Sequence, residues 1–191
     1  MVKKAQIDEN DNVVNFIEAD ENMNELNGYT LIEAISGASP GDIYDPTDGT
    51  FTTPRPPLDQ RKSSMYRDVR KRFQDTLAAG FDDGNGLRWA ATDDARSRVL
   101  DLTQRIQEFR AGNVSSPLPN GKSTMKLRDA SNQPHDVDPN IIISLAEQGS
   151  DFKDSAEDRL EDLLVTIAAA VSHDDLDAID VTNGWPVAPT S

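Results

Sequence analysis

Several groups of residues have types and spacings that could do chemistry. Gly121-Lys-Ser-Thr124 has the ending of a phosphate-binding loop, where backbone amides cradle phosphate and a lysine adds charge. The full pattern needs another glycine five residues before Gly121, and that position is Ser116. Pro117 and Pro119 sit inside the would-be loop and no strand precedes it, so the amide cradle cannot form. Asp136, Asp138 and Asn140, with Glu147 further on, have the ligand spacing of a calcium loop. The glycine that such a loop requires at its sixth position is Ile141, and Pro139 starts a helix where the loop should still be turning. Helix capping by Asp138 accounts for these residues better. Acidic turns at 8–12, 45–49 and 82–86 could hold an opportunistic surface cation, which would not define a function.

Nucleophilic and acid–base chemistry fare no better. His135 and His173 are the only histidines, neither has a spaced partner, and both are expected to be exposed. Ser63, Ser64, Ser115 and Ser116 fall in loops or helix starts with no base nearby. Arg67, Arg70, Lys71 and Arg72 form a basic helix face, read as solvated or paired with the acidic segments rather than as a nucleic-acid contact. Trp89 and Trp185 read as core anchors, with Trp185 before Pro186 pinning the end of the chain. The sequence thus nominates no catalytic, cofactor-binding or metal-ligating residue, and no cofactor.

Composition narrows the classes further. The 191 residues contain no cysteine, so neither disulfides nor thiolate metal sites are available. No run of apolar residues is long enough to span a membrane, and the first residues lack the apolar stretch of a signal peptide. Synthesis and folding in a cytoplasm are therefore expected. A hydrophobic fraction of 36% with a mean hydropathy of -0.60 is low for a single compact core, though not low enough for global disorder. The net charge of -15 is unevenly spread: residues 1–57 carry -8, residues 58–135 carry +4 and residues 136–191 carry -11. That total argues against nonspecific binding to nucleic acid or anionic membrane. A basic middle between acidic ends suggests complementary surfaces, within one chain or between copies.

The elements that must position these residues are legible from periodicity. Asp138 and Pro139 read as an N-cap and first helical position. Behind them Ile142, Leu145, Gly149, Phe152, Ala156, Leu160, Leu163, Ile167 and Val171 recur at three or four residues, one helical stripe running to about Ser172. Such a helix, roughly 50 Å long, must bury its stripe against other elements. A second helix over 59–79 carries Met65, Val69, Phe73 and Leu77. A third, capped by Thr92 or Asp93 and closed by Gly112, carries Ala95, Val99, Leu102, Ile106 and Phe109. Leu87–Ala90 reads as a short strand, Ser123–Arg128 pairs with a strand near His135, and a short helical piece lies at Leu176–Ile179.

Residues 1–53 read as short strands separated by turns: Lys4–Asp8, Val13–Ile17, Tyr29–Ile35, and Gly41–Tyr44 with Thr50–Thr53 around Asp45–Gly49. Such a module is marginal alone at this size. Pro54-Arg-Pro-Pro57 is the clearest boundary, a stiff spacer that excludes a helix. The expected architecture is α+β: an antiparallel β module (1–53), a Pro-rich linker (54–57), and a three-helix bundle with short β-hairpins (58–191).

These features resemble something known. Tyr66-Arg-Asp-Val-Arg-Lys-Arg-Phe73, Leu87-Arg-Trp-Ala90 before Thr92-Asp93, the long helix and Asn183-Gly-Trp-Pro186 give residues 62–186 a resemblance to a phage and prophage domain of unknown function in tail and tail-fibre-region proteins. Residues 5–54 are similar to the small β module that begins many tail-fibre and fibre-assembly proteins, through Ile7–Ile17 and Gly41–Pro54. The resemblance implies no catalytic residue. It implies a non-enzymatic bacteriophage tail protein, a structural or adaptor part of the tail, tail fibre or baseplate. The alternative is a fibre-assembly chaperone that leaves before maturation, and the charge alone raises a third class, an acidic DNA mimic. Tail fibres usually continue into long shafts, so a chain ending at Ser191 is expected to be a short adaptor. Expected partners are other tail or baseplate proteins and further copies of the chain, a trimer before a dimer, without nucleic acid or a membrane anchor. Gly149 and Ala156 leave shallow places on the long helix where a helix of another copy could approach. The expected location is the virion tail.

Overall fold

Alternation along the first strand sets the N-terminal unit. In the computed structural model, which describes residues 1–34 and 38–186, the chain divides into two compact units, Met1–Pro57 and Leu58–Ser191. In the first, β1 (Val2–Ile7) lies between β2 (Val13–Ala19) and β4 (Tyr29–Glu33), and β3 (Glu25–Leu26) completes an antiparallel sheet of order β2-β1-β4-β3. Ala5 and Ile7 share one face, as the two-residue period requires, and bury with Val13 under Phe16, Ile32, Tyr44 and Phe51. A hairpin of β5 (Ile43–Asp45) and β6 (Thr50–Thr52) supplies the last two aromatics, with ring centroids 5.1 Å apart. The expected end of the Tyr29 strand at Ile35 lies outside the described residues, and β3 is an addition to the expected set.

Lys4 interrupts the pattern. Its side chain points away from Ala5 yet is only 4% exposed. The Nζ donates to the carbonyls of Glu21 at 2.8 Å and Met23 at 2.6 Å, so the buried ammonium keeps charge-assisted bonds.

The second unit is built around a central helix. Its elements are α1 (Leu58–Ala79), β7 (Phe81–Asp82), β8 (Arg88–Trp89), α2 (Asp93–Arg110), β9 (Met125–Arg128), β10 (Pro134–Val137), α3 (Pro139–Ala169) and α4 (His173–Asp177). With the N-terminal sheet, these make the architecture α+β. Asp138 Oδ1 accepts from the amides of Asn140 at 2.8 Å and Ile141 at 3.0 Å, capping α3 with Pro139 at its first turn. The buried stripe of α3 runs Ile142, Leu145, Gly149, Phe152, Ala156, Leu163 and Ile167. It takes α1 and α2 against itself, α1 through Val69, Phe73 and Leu77, and α2 through Leu102 and Ile106. Phe109 does not join them, being 40% exposed in the last turn of α2. Trp185 is buried in the same core, its Nε1 donating to the Val181 carbonyl at 3.0 Å.

The long helix stops earlier than its stripe suggests, and Val171 is 85% exposed. The cause is a capping box at Ser172 and Asp175. Asp175 Oδ2 accepts from the amides of Val171 and Ser172, each at 2.9 Å, while Ser172 Oγ accepts from the Asp175 amide at 3.1 Å. Side chains thus take the amides that a continuing helix would use, and α4 starts instead.

The strand expected at Leu87–Ala90 is one arm of a hairpin whose other arm, β7, the sequence does not mark. Gly80, at φ +72, turns the chain so that β7 pairs with β8. Asp83 Oδ1 then accepts from the amides of Asn85 at 2.8 Å and Leu87 at 3.2 Å, closing the turn. Phe81 lays its ring over Gly149 of α3: a β-carbon there would stand 3.2 Å from Phe81 Cε1. Gly149 is therefore covered by its own chain, and Ala156 is fully buried. Neither is a place where a helix of another copy could approach. No helix among the described residues is long and apolar enough to cross a membrane.

Candidate functional site

The residues singled out for chemistry mostly serve local structure. Lys122 lies in extended chain between a 3-10 turn at Pro119–Gly121 and β9, not at a helix start. Ser64 Oγ accepts from Arg67 Nη2 at 3.3 Å, and Ser116 Oγ donates to the Leu118 carbonyl at 2.8 Å. Asp136 pairs with Lys126 across β9 and β10 at 3.3 Å, and Glu147 is exposed on α3. Among the described residues no cluster of three or more histidine, aspartate or glutamate side chains is placed to hold a metal.

Much of the basic side of α1 is engaged within the chain. Lys62 Nζ donates to the Ala168 carbonyl at 3.0 Å, at the negative end of α3. Arg61 pairs with Asp177, and Arg72 Nη2 reaches the Thr182 carbonyl at 3.4 Å. Lys71 pairs with Asp75 at 2.6 Å, and Arg70 sits 6.0 Å from the Tyr66 ring centroid.

Both histidines correct the expectation of exposed, unpartnered rings. His173 is half-buried and its Nδ1 accepts from Arg61 Nη1 at 3.0 Å. His135 is half-buried too: its Nε2 lies 2.8 Å from Asp129 Oδ2, and its ring stands edge-on to Trp89 with centroids 5.9 Å apart. Sequence spacing missed these partners because each comes from the fold: Asp129 faces His135 only when β9 and β10 pair, with Leu127 opposite His135.

Trp89 is thereby held from two sides. Its indole Nε1 donates to Asp83 Oδ2 at 3.1 Å, and His135 covers its edge. Burial pushes the Asp83 carboxyl up, but the amides of Asn85 and Leu87 and the indole together hold it below the ordinary value. Asp129 is also depressed, first by the Gln133 amide and then by His135. A carboxylate that orients an imidazole is half of an acid–base pair. Here both carboxylates spend their oxygens on turn amides and on fixing rings, which is a packing arrangement.

Trp89, so held, also lines a groove of about 410 Å³ between β8, α2, β9 and α3. Its floor is apolar, made by Phe81, Trp89, Leu127 and Leu145. Its rim carries Arg96 and Arg98 from α2 and Arg128 from β9. Arg96 Nη2 donates to Ser150 Oγ at 3.4 Å, Arg98 Nη2 to the Lys126 carbonyl at 3.3 Å, and Arg128 Nη1 to the Asn132 carbonyl at 2.6 Å. Sequence reasoning did not single out these arginines. The positive balance of residues 58–135 was the only signal, and it pointed at α1 first.

The family model for a domain of unknown function, DUF4376, matches residues 60–183. No curated protein and no solved structure matches the chain.

Proposed function

The chain belongs to the family of DUF4376, a domain of unknown function, and we propose, from the features given below, that it is a non-enzymatic bacteriophage tail protein. It acts as a small structural or adaptor component of the tail, tail fibre or baseplate, reaching the virion after synthesis in the host cytoplasm. The resemblance of residues 5–54 and 62–186 to tail-region sequences motivates the reading. The observation that carries it is the two-unit build: two units with separate cores flank the exposed proline stretch 54–57. A chain built this way can offer one folded surface to each of two neighbours, as an adaptor must. The use of Asp83 and Asp129 for holding turns and rings favours a non-enzymatic role.

Its partners on this reading are other tail or baseplate proteins and further copies of itself, a trimer before a dimer, as is common in the resembled fibres. Neither nucleic acid nor a membrane anchor enters. Mass spectrometry of purified particles tests the assignment: peptides of this chain in mature particles support a virion component. Their absence from particles, with the protein bound to fibre chains in infected cells, transfers the assignment to a fibre-assembly chaperone. Absence from both refutes the tail reading.

A further inference from the structure

The groove on the helical unit is lined by three arginines and a single carboxylate, in a chain that is acidic overall. The protein has 34 acidic and 19 basic side chains. Arg96, Arg98 and Arg128 bond to a hydroxyl and two carbonyls, and none forms an ion pair with a carboxylate among the described residues, so their charge is open to a ligand. The one carboxylate lining the groove is Asp94. Asp93, next to it, is held below its ordinary value first by Lys153 at 2.8 Å, with Arg96 adding a weaker pull. Three guanidinium groups thus ring an apolar floor, and Leu100 on the same rim is 44% exposed.

We propose that this groove docks a short acidic segment of a partner protein, anchored by one or two large apolar side chains with carboxylates on either side. The volume is that of a pocket for a few side chains, and the floor of Phe81, Trp89, Leu127 and Leu145 is the chemistry that takes them. The forked guanidinium groups match carboxylates in pairs, which gives the segment its register. A long polyanion such as nucleic acid gains the same three contacts. It also meets a chain of net charge -15, whose repulsion a short segment largely escapes beyond the Debye length of about 10 Å. The floor is preformed because Trp89 is fixed by Asp83 and His135, so binding orders little of the protein. The inference goes beyond the tail reading and does not depend on it.

The test uses the full chain to select from a yeast-displayed library of random dodecapeptides, alongside an Arg96→Glu/Arg128→Glu variant checked for folding by circular dichroism. Enriched peptides should be acidic and carry large apolar residues. The best of them, as a labelled free peptide, should bind the double variant at least about tenfold more weakly, and should weaken as salt rises. Leu100→Asp, at an exposed position, should weaken it too. Should the charge reversal unfold the protein, amide shifts on the native chain decide: changes at residues 96–100 and 127–128 support the proposal, and changes elsewhere overturn it. Enrichment of neutral or basic peptides, no enrichment at all, affinity indifferent to the charge reversal, or tighter binding of labelled single-stranded DNA to the same arginines would each overturn it.

Discussion

Gly80 is the hinge on which the groove's aromatic wall depends, and replacing it with alanine gives a magnitude that the structure fixes. At φ +72 any side chain costs roughly 1–2 kcal/mol from left-handed backbone alone. A β-carbon there would also stand 1.9 Å from the carbonyl oxygen of Trp89 and 2.5 Å from its carbonyl carbon, well inside the 3.4 Å where ordinary contact begins. Both are backbone atoms, so no rotamer can yield, and β8 must move with the buried Trp89 it carries. The Ala91 amide, bonded to the Leu77 carbonyl at 2.8 Å, resists that movement. Overpacking of this kind adds about 1–3 kcal/mol, so Gly80→Ala should cost about 2–5 kcal/mol in all. Gly84 and Gly86 are the controls, with φ +79 and +83 but nothing within 4 Å of where a β-carbon would stand, so alanine there should cost only the backbone part, about 1–2 kcal/mol. Urea unfolding followed by tryptophan fluorescence measures the difference cleanly, since both tryptophans lie in the helical unit. A Gly80→Ala cost within about 0.5 kcal/mol of the controls would refute the close approach and with it the fixed wall of the groove.

Four further outcomes are expected. Trp185→Ala should cost about 3–5 kcal/mol in the same urea assay, because the indole is buried in the helical core; a cost under about 1 kcal/mol would mean that Trp185 is not docked there. Asp180 is depressed by the Thr182 hydroxyl and amide and then by Asn183, Asp129 by the Gln133 amide and His135, and Asp175 by the Val171 amide and Ser172. Each therefore binds fewer protons folded than unfolded below the ordinary value of 3.8, so its stabilisation is full above that value and is lost as pH falls through the folded one. The urea midpoint should drop from about pH 5 downward, and Asp180→Asn should flatten the slope; a midpoint indifferent to acid contradicts these networks. Limited proteolysis should nick the exposed residues 54–57 and leave a fragment starting near Leu58, whereas first cuts inside α3 would sink the two-unit description. If copies associate through the basic face of α1, Arg70→Glu with Arg72→Glu should lower the mass seen by light scattering, and a native chain that is monomeric at micromolar concentration would leave only partner-dependent assembly.

What was legible in the sequence was what local chemistry decides. Asp138 and Pro139 announce the start of α3, and the apolar spacing behind them marks nearly every residue that it buries. The apolar period runs on through Val171, but Ser172-His-Asp-Asp175 carries a capping pattern that competes with it and starts a new helix. Tertiary pairing was less visible. β8 falls inside the strand expected at Leu87–Ala90, but its partner β7 is two residues long, too short for alternation to register, and the pairing depends on the close passage of Trp89 over Gly80. Nothing in the sequence around Lys4 marks it for burial, since the carbonyls that bond it come from residues 21 and 23. The groove was illegible for the same reason: Arg96, Arg128 and Trp89 are separated along the chain and meet only when β9, β8 and α2 pack on α3. Even the Asp129 partner of His135 needs the β9–β10 register before it can be found.

The most direct test of the tail assignment is to delete the reading frame from a phage that encodes it and image the resulting particles by electron microscopy. The account predicts tails with missing or unattached fibres or baseplates, restored when the intact chain is supplied in trans. A virion component and an assembly chaperone share this outcome, so it tests the assignment above that choice. Particles with complete tails and undiminished infectivity would contradict it.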